Sequence, residues 1–401
     1  MKRIRLVFTA IAFISVVVSP VRVQAQGDIR VLSESAQTDF PRRITFNLSC
    51  ESDVNLTDIR LNYVAQRESF SQVTSEAYVN FQPAKKVNVS WSLEMVRIGG
   101  MPPGTVIDYS WVLKDASGNT LKTKTASVLF DDNRYTWRKI QSGQISLYWY
   151  EGDNAFAGEI LKSAESALAR LSRDTGATLS RPVKLYIYAS SRDLLGSMIN
   201  PQEWTGGVAF TRYGAVAIGI GTGELDWGKS AVVHEFTHLV IGQMTLSPYG
   251  DIPRWLDEGL AVYNEGPLAP EFAAALAQVV ANKTLISVRS LASPFSALPS
   301  KAVLSYAESQ SIVNFLINNY GKDKMFELLT TFKEGADYDG ALKKVYGFDM
   351  DGLSTLWQQS LSGSQKTAEK LPDTAEYDIV LSPLLLLVLA SGTRRFAYVR
   401  K

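Results

Sequence analysis

The 401 residues of the chain include two histidines, and they stand four positions apart in His234-Glu235-Phe236-Thr237-His238. On a helix, side chains at i and i+4 lie one above the other on a single face, so both imidazoles aim at one point. That is the placement two ligands of a zinc ion require. Glu235, set to one side of the first ligand, reaches a water at such a centre and has the general-base role of the H-E-x-x-H pattern. Two histidines placed at random in a chain of this length fall four apart about once in 200 arrangements, and a glutamate in the required slot is rarer by a further factor of about twenty. A pair of merely structural histidines is therefore the weaker explanation.

Zinc used for hydrolysis takes three protein ligands and keeps a fourth position for water, so one ligand remains to be found. The stretch Asp251-Ile252-Pro253-Arg254-Trp255-Leu256-Asp257-Glu258-Gly259-Leu260-Ala261 offers it, with Glu258 twenty positions beyond His238. Pro253 suits the first turn of a helix. The competing carboxylate, Asp257, points about 100° away from Glu258 around such a helix, which suits a supporting or surface position.

With these residues in view, the chain resembles the gluzincin metallopeptidases, the group containing thermolysin and the zinc aminopeptidases, and more narrowly the peptidase MA-like proteins of bacteria. The resemblance rests on H-E-x-x-H at 234–238 and on the Trp-Leu-x-Glu-Gly-Leu-Ala stretch at 255–261, and it spans roughly Tyr135 to Ser360. It implies one zinc per chain held by His234, His238 and Glu258, Glu235 as general base, and a peptide or protein substrate. Gluzincins commonly place a tyrosine or histidine at the developing oxyanion, and no third histidine exists among these residues. A tyrosine is expected instead: Tyr306, in Ser305-Tyr306-Ala307-Glu308-Ser309-Gln310, with Tyr263 as the runner-up. By the same resemblance, the segment from Gly206 to Gly221 contains the edge strand along which an extended peptide binds, centred on Ala215 to Ile220. The chain departs from the family pattern at two points. Where zinc aminopeptidases carry Gly-x-Met-Glu-Asn, it has Gly206-Gly207-Val208-Ala209-Phe210, without a carboxylate to hold a substrate amino terminus. Four residues past Glu258 stands Val262, so the group orienting a ligand histidine is not named by the pattern.

These motifs need elements to carry them. From Ile29 to Asp132 the chain alternates apolar and polar residues in short runs, among them Ile59, Leu61, Tyr63 and Val87, Val89, Trp91, Leu93. Ala116-Ser117-Gly118-Asn119 provides a hairpin turn. The expectation is an all-β sandwich of immunoglobulin or fibronectin type over 27–132, acting as a spacer or docking module. From Phe156 the period becomes helical, through Ile160, Ala164, Ala167 and Leu171, with Gly176 as the cap. Val183, Leu185 and Ile187 then form a strand, and the zinc helix is placed from about Trp227 to Met244. Residues 135–360 are thus read as an α+β zincin-like metallopeptidase domain with a helical C-terminal half.

The ends carry other signals. Lys2, Arg3 and Arg5 precede an apolar run and a small-residue site at Val23-Gln24-Ala25, the pattern of a secretory signal peptide over 1–25. A polar linker is expected at 361–378, a membrane anchor at 379–393 and a basic cytoplasmic tail at 394–401, although the fourteen residues from Ile379 to Gly392 would cover, as a helix, only about 21 Å of a core of about 30 Å. The single cysteine, Cys50, allows no intrachain disulfide and reads as a small core residue. The net charge of +1, with charges spread along the chain, points to no nucleic-acid partner. An exported, membrane-tethered zinc metallopeptidase is the expectation. Its rivals are a surface binding or assembly protein with a structural or inactive zinc site, and a zinc hydrolase of another amide.

Overall fold

The computed structural model describes residues 28–71, 73–201, 206–296 and 298–364. The expected signal segment, membrane span and basic tail lie outside them, as does the linker beyond its first four positions. Those four belong to the last helix, which runs through Ser364. Among the described residues, no helix is long and apolar enough to cross a membrane.

The N-terminal region is β-rich. Its strands are β1 (Arg30–Asp39), β2 (Arg43–Ala65), β3 (Ser75–Tyr78), β4 (Ala84–Glu94), β5 (Thr105–Asp115), β6 (Thr120–Lys122) and β7 (Ala126–Phe130), joined in one antiparallel sheet. The first half of β2 pairs with β1 and β4, and its second half with β3 and β5. The register is irregular between Glu51 and Leu56. Ile44, Phe46, Leu48 and Cys50 point inward before the irregularity, and Leu56, Ile59 and Leu61 after it. Drawn straight, the seventeen steps from Phe46 to Tyr63 would span about 56 Å. Yet the ring of Phe46 lies 5.0 Å from that of Tyr109, the register partner of Tyr63. The strand therefore bends over, and its two halves close on a common core. At the β5–β6 hairpin, Oδ1 of Asp115 accepts the backbone N–H groups of Ser117 and Asn119, and Gly118 supplies the φ of +86° that the turn demands.

A second sheet follows, in the order β11-β12-β10-β9-β8. Its strands are β8 (Arg138–Ser142), β9 (Ile145–Trp149), β10 (Val183–Tyr188), β11 (Gly207–Phe210) and β12 (Ala215–Gly219). The three inner strands are parallel, and both outer strands run antiparallel to them. Buried residues of β10 face both ways: Leu185 and Ile187 join the large helical core, whereas Tyr186 and Tyr188 join an aromatic layer on the other side. Burial on both faces is usual for parallel strands. Along that aromatic side the β-rich region is fastened by Lys184 Nζ donating to the Gly104 carbonyl at 2.7 Å and by an Arg181–Glu68 ion pair at 2.8 Å.

The helices are α1 (Asn154–Thr175), α2 (Ser191–Leu195), α3 (Leu225–Thr245), α4 (Arg254–Glu265), α5 (Pro270–Asn282), α6 (Val288–Leu291), α7 (Pro299–Lys333), α8 (Tyr338–Tyr346) and α9 (Met350–Ser364). α1 begins at Asp153, whose side chain accepts the Phe156 N–H, and stops at Gly176 in the left-handed conformation. α3 is the central helix. Ala231, Val232, Phe236, Leu239, Val240 and Ile241 are all buried, so it is surrounded by the sheet and by α1, α4 and α7. α7 is broken at Gly321, which leaves helical geometry. Gly259 lets α4 settle directly on the α7 backbone: a Cβ there would stand 2.5 Å from the Ser309 carbonyl oxygen and 2.7 Å from Val313 Cγ2.

The contact at Gly259 gives a test of this packing. Gly259→Ala forces α4 off α7 and should cost about 1–3 kcal/mol, read as a lower urea midpoint with an unchanged slope. A midpoint equal to that of the parent would refute the close approach.

Candidate metal centre

α3 carries His234, Glu235 and His238 on one stretch, and α4 carries Glu258 opposite them. The two Nε2 atoms are 3.1 Å apart. Oε2 of Glu258 lies 3.4 Å from each of them. Ligands about 2.1 Å from a tetrahedral zinc stand about 3.4 Å from one another, so this triangle has the dimensions of one face of such a tetrahedron. Two imidazoles and one carboxylate are also the donor types zinc takes in hydrolytic sites. The three residues therefore fit the ion that the sequence pattern implies.

Each histidine is aimed by a carboxylate on its other ring nitrogen. Nδ1 of His234 lies 2.7 Å from Glu265 Oε1, and Nδ1 of His238 lies 2.8 Å from Asp257 Oδ1. Such contacts select the tautomer that presents Nε2 to a metal. Asp257 thus supports His238. The sequence pattern points to the position four past Glu258, which is Val262, and gives no signal for Glu265. It sits seven past, nearly two full helical turns on, and so returns to the same face of α4. Asn264 pins the two helices together: its Nδ2 donates to Thr237 Oγ1 at 2.8 Å and to the Ala167 carbonyl at 3.2 Å.

Burial would lower the pKa of His234, but hydrogen bonds to Glu258 and Glu265 outweigh it and raise the value to about 9. For His238, burial is likewise overcome by Asp257 and Glu258, and the pKa rises well above its usual value. Burial would raise Glu258, yet Arg254 and His238 hold it well below the usual carboxylate range. The cup is thus electrically hungry for cations.

Glu235 is buried beside β11, where a Cβ on Gly207 would fall 2.9 Å from Glu235 Cγ. The backbone of β11 can approach the carboxylate only because residue 207 has no side chain. β11 is also the edge strand. β12, the segment expected to receive a peptide, is hydrogen-bonded to β10 on one side and β11 on the other, so its main chain is already used. The expectation shifts from Ala215–Ile220 to Gly207–Phe210.

The two tyrosines part company. Tyr306, on α7, is buried against Phe295 with ring centroids 5.1 Å apart, and it lies beside the Arg254 guanidinium. Arg254 in turn binds Oε1 of Glu258. Tyr263 faces elsewhere: its hydroxyl donates to Asp174 on α1 at 3.3 Å, and Arg170 lies over its ring.

A family model described as the Peptidase MA superfamily matches residues 163–363. No curated protein matches the chain. Among solved structures, a two-domain M1 zinc metallopeptidase bound to L-arginine is 12% identical, with 83% of this chain and 95% of that one covered at a TM-score of 0.37. Yeast LTA4 hydrolase in complex with bestatin is 11% identical, with 81% of this chain and 62% of that one covered at a TM-score of 0.32. A β-1,3-glucan-binding domain of carbohydrate-binding module family 56 is 17% identical, covering 25% of this chain and 98% of its own at a TM-score of 0.16.

The raised histidine values set a proton count. With His234 at about 9 in the zinc-free protein, its imidazole is protonated at pH 7 and must lose that proton to bind a metal. Zinc loading at pH 7 should release at least one proton, and apparent affinity should climb as pH rises toward 9. Calorimetric titrations in buffers of different ionisation enthalpy measure the release; heats independent of buffer would contradict it.

Proposed function

The chain belongs to the Peptidase MA superfamily, and we propose that it is a zinc-dependent metallopeptidase of gluzincin type, hydrolysing peptide bonds. The observation that carries this reading is the buried triangle of His234 Nε2, His238 Nε2 and Glu258 Oε2, with edges of 3.1, 3.4 and 3.4 Å, beside a helix-borne glutamate. Bound there, zinc would polarise a scissile carbonyl and favour ionisation of water near neutral pH.

The remaining roles fall to the protein. Glu235 accepts the proton of the attacking water and passes it to the leaving amine. Tyr306 serves the developing oxyanion from its place on α7, packed on Phe295 and beside the Arg254 guanidinium. β11 offers its outer main chain to an extended peptide by strand addition. Its residues Gly206 to Phe210 contain no carboxylate to pair with a substrate amino terminus.

The β-rich region is read as an immunoglobulin- or fibronectin-like sandwich that spaces or docks the catalytic domain. The N-terminal signal pattern and the apolar segment 379–393 support an exported enzyme held at the cell surface. Fractionation of the full chain, with and without residues 379–401, checks this: equal recovery of both in the soluble fraction would remove the anchor.

The chemistry is tested on three proteins: the parent, Glu235→Gln and Tyr306→Phe. All should bind one zinc. The parent should cleave a mixed peptide library, Glu235→Gln should be inactive, and Tyr306→Phe should lose turnover by about 10²-fold or more. A parent that binds zinc and cleaves nothing favours a surface binding protein with an inactive site. Near-normal turnover in Tyr306→Phe would remove that residue from the mechanism.

A further inference from the structure

Glu258 is fully buried, and its two oxygens have different tasks. Oε2 completes the triangle with the imidazoles, while Oε1 is held by Nη2 of Arg254, one helical turn earlier on α4. A ligand carboxylate without such a partner can rotate, or offer both oxygens to a metal. The guanidinium removes that freedom by occupying one of them. The same group lies 3.8 Å from Asp257 Oδ2, the carboxylate that aims His238. Tyr306 on α7 lies beside the same group. One planar cation therefore touches a metal ligand, the support of a second ligand, and the tyrosine assigned to the oxyanion. A planar fork of five donors meets acceptors on two helices in fixed directions, whereas an ammonium is a compact point charge without that spread or fixed geometry.

We propose that Arg254 is a positioning residue that fixes Glu258 in a one-oxygen presentation to zinc and holds Tyr306 in place beside it. The proposal rests on the metallopeptidase reading above. It differs from a buried ion pair serving stability alone, because it couples metal affinity and turnover through different partners of one side chain.

The experiment uses the full chain as parent, Arg254→Gln and Arg254→Lys. Zinc affinity is measured by chelator competition, stability by thermal melting of the zinc-free proteins, and kcat and KM on one cleaved peptide. Arg254→Gln should bind zinc about 10- to 100-fold more weakly than the parent. Arg254→Lys should recover most of the zinc affinity, since the ammonium can still meet Glu258, but not kcat, since it cannot also reach Tyr306; KM should stay near the parental value. Zinc affinity within about twofold of the parent in a folded Arg254→Gln protein overturns the proposal. If that variant does not fold, Arg254→Lys decides, and parental kcat there overturns it. A parent that binds no zinc defeats the metallopeptidase reading itself, whereas a zinc-binding parent with indifferent variants defeats only the role of Arg254.

Discussion

Charge balance in a buried space is the constraint on which the site depends. The fully buried Glu258 and the partly buried Asp257 and Glu265 gather around two imidazoles and the Arg254 guanidinium. Removing ions from water costs several kcal/mol each unless opposite charge meets them in good geometry. One arginine cannot match three carboxylates. The deficit is met either by protons on the histidines, hence their raised pKa values, or by a divalent cation in their place. Binding metal and being stable are here answers to the same electrostatic demand.

That demand can be met only if α3 and α4 keep their distance and rotation. Gly259 seats α4 on α7, and Asn264 ties it to α3 and α1. Trp255, Leu256 and Leu260 bury the rest of the helix in the main core. The polar face of α4 thus points at the histidines because its apolar face has nowhere else to go.

How much of this was legible in the sequence follows from how local each relation is. His234, Glu235 and His238 share one helix, and helical geometry alone aligns them; the twenty-residue interval to Glu258 is a motif-level signal. Arg254 and Glu265 act across helices, yet the helical wheel held a clue. From Glu258, Arg254 lies about 40° and Glu265 about 20° around the axis, whereas Tyr263 lies about 140° away, toward α1 where it meets Asp174. The edge strand was misplaced for a different reason. β11 has four residues, too few for a period to register, and strand order is a tertiary property that alternation does not encode. In the β-rich region, β6 was missed because three residues carry no pattern, and the bend in β2 was hidden because alternation resumes after the irregularity between Glu51 and Leu56.

The shared strand β2 has a mechanical meaning. Both halves hang on one continuous piece of chain and bury their side chains in one core, so opening either half strips the other of its packing. The region is therefore a single cooperative unit of unfolding. Its amides in β2 should share one opening energy from Ile44 to Leu61.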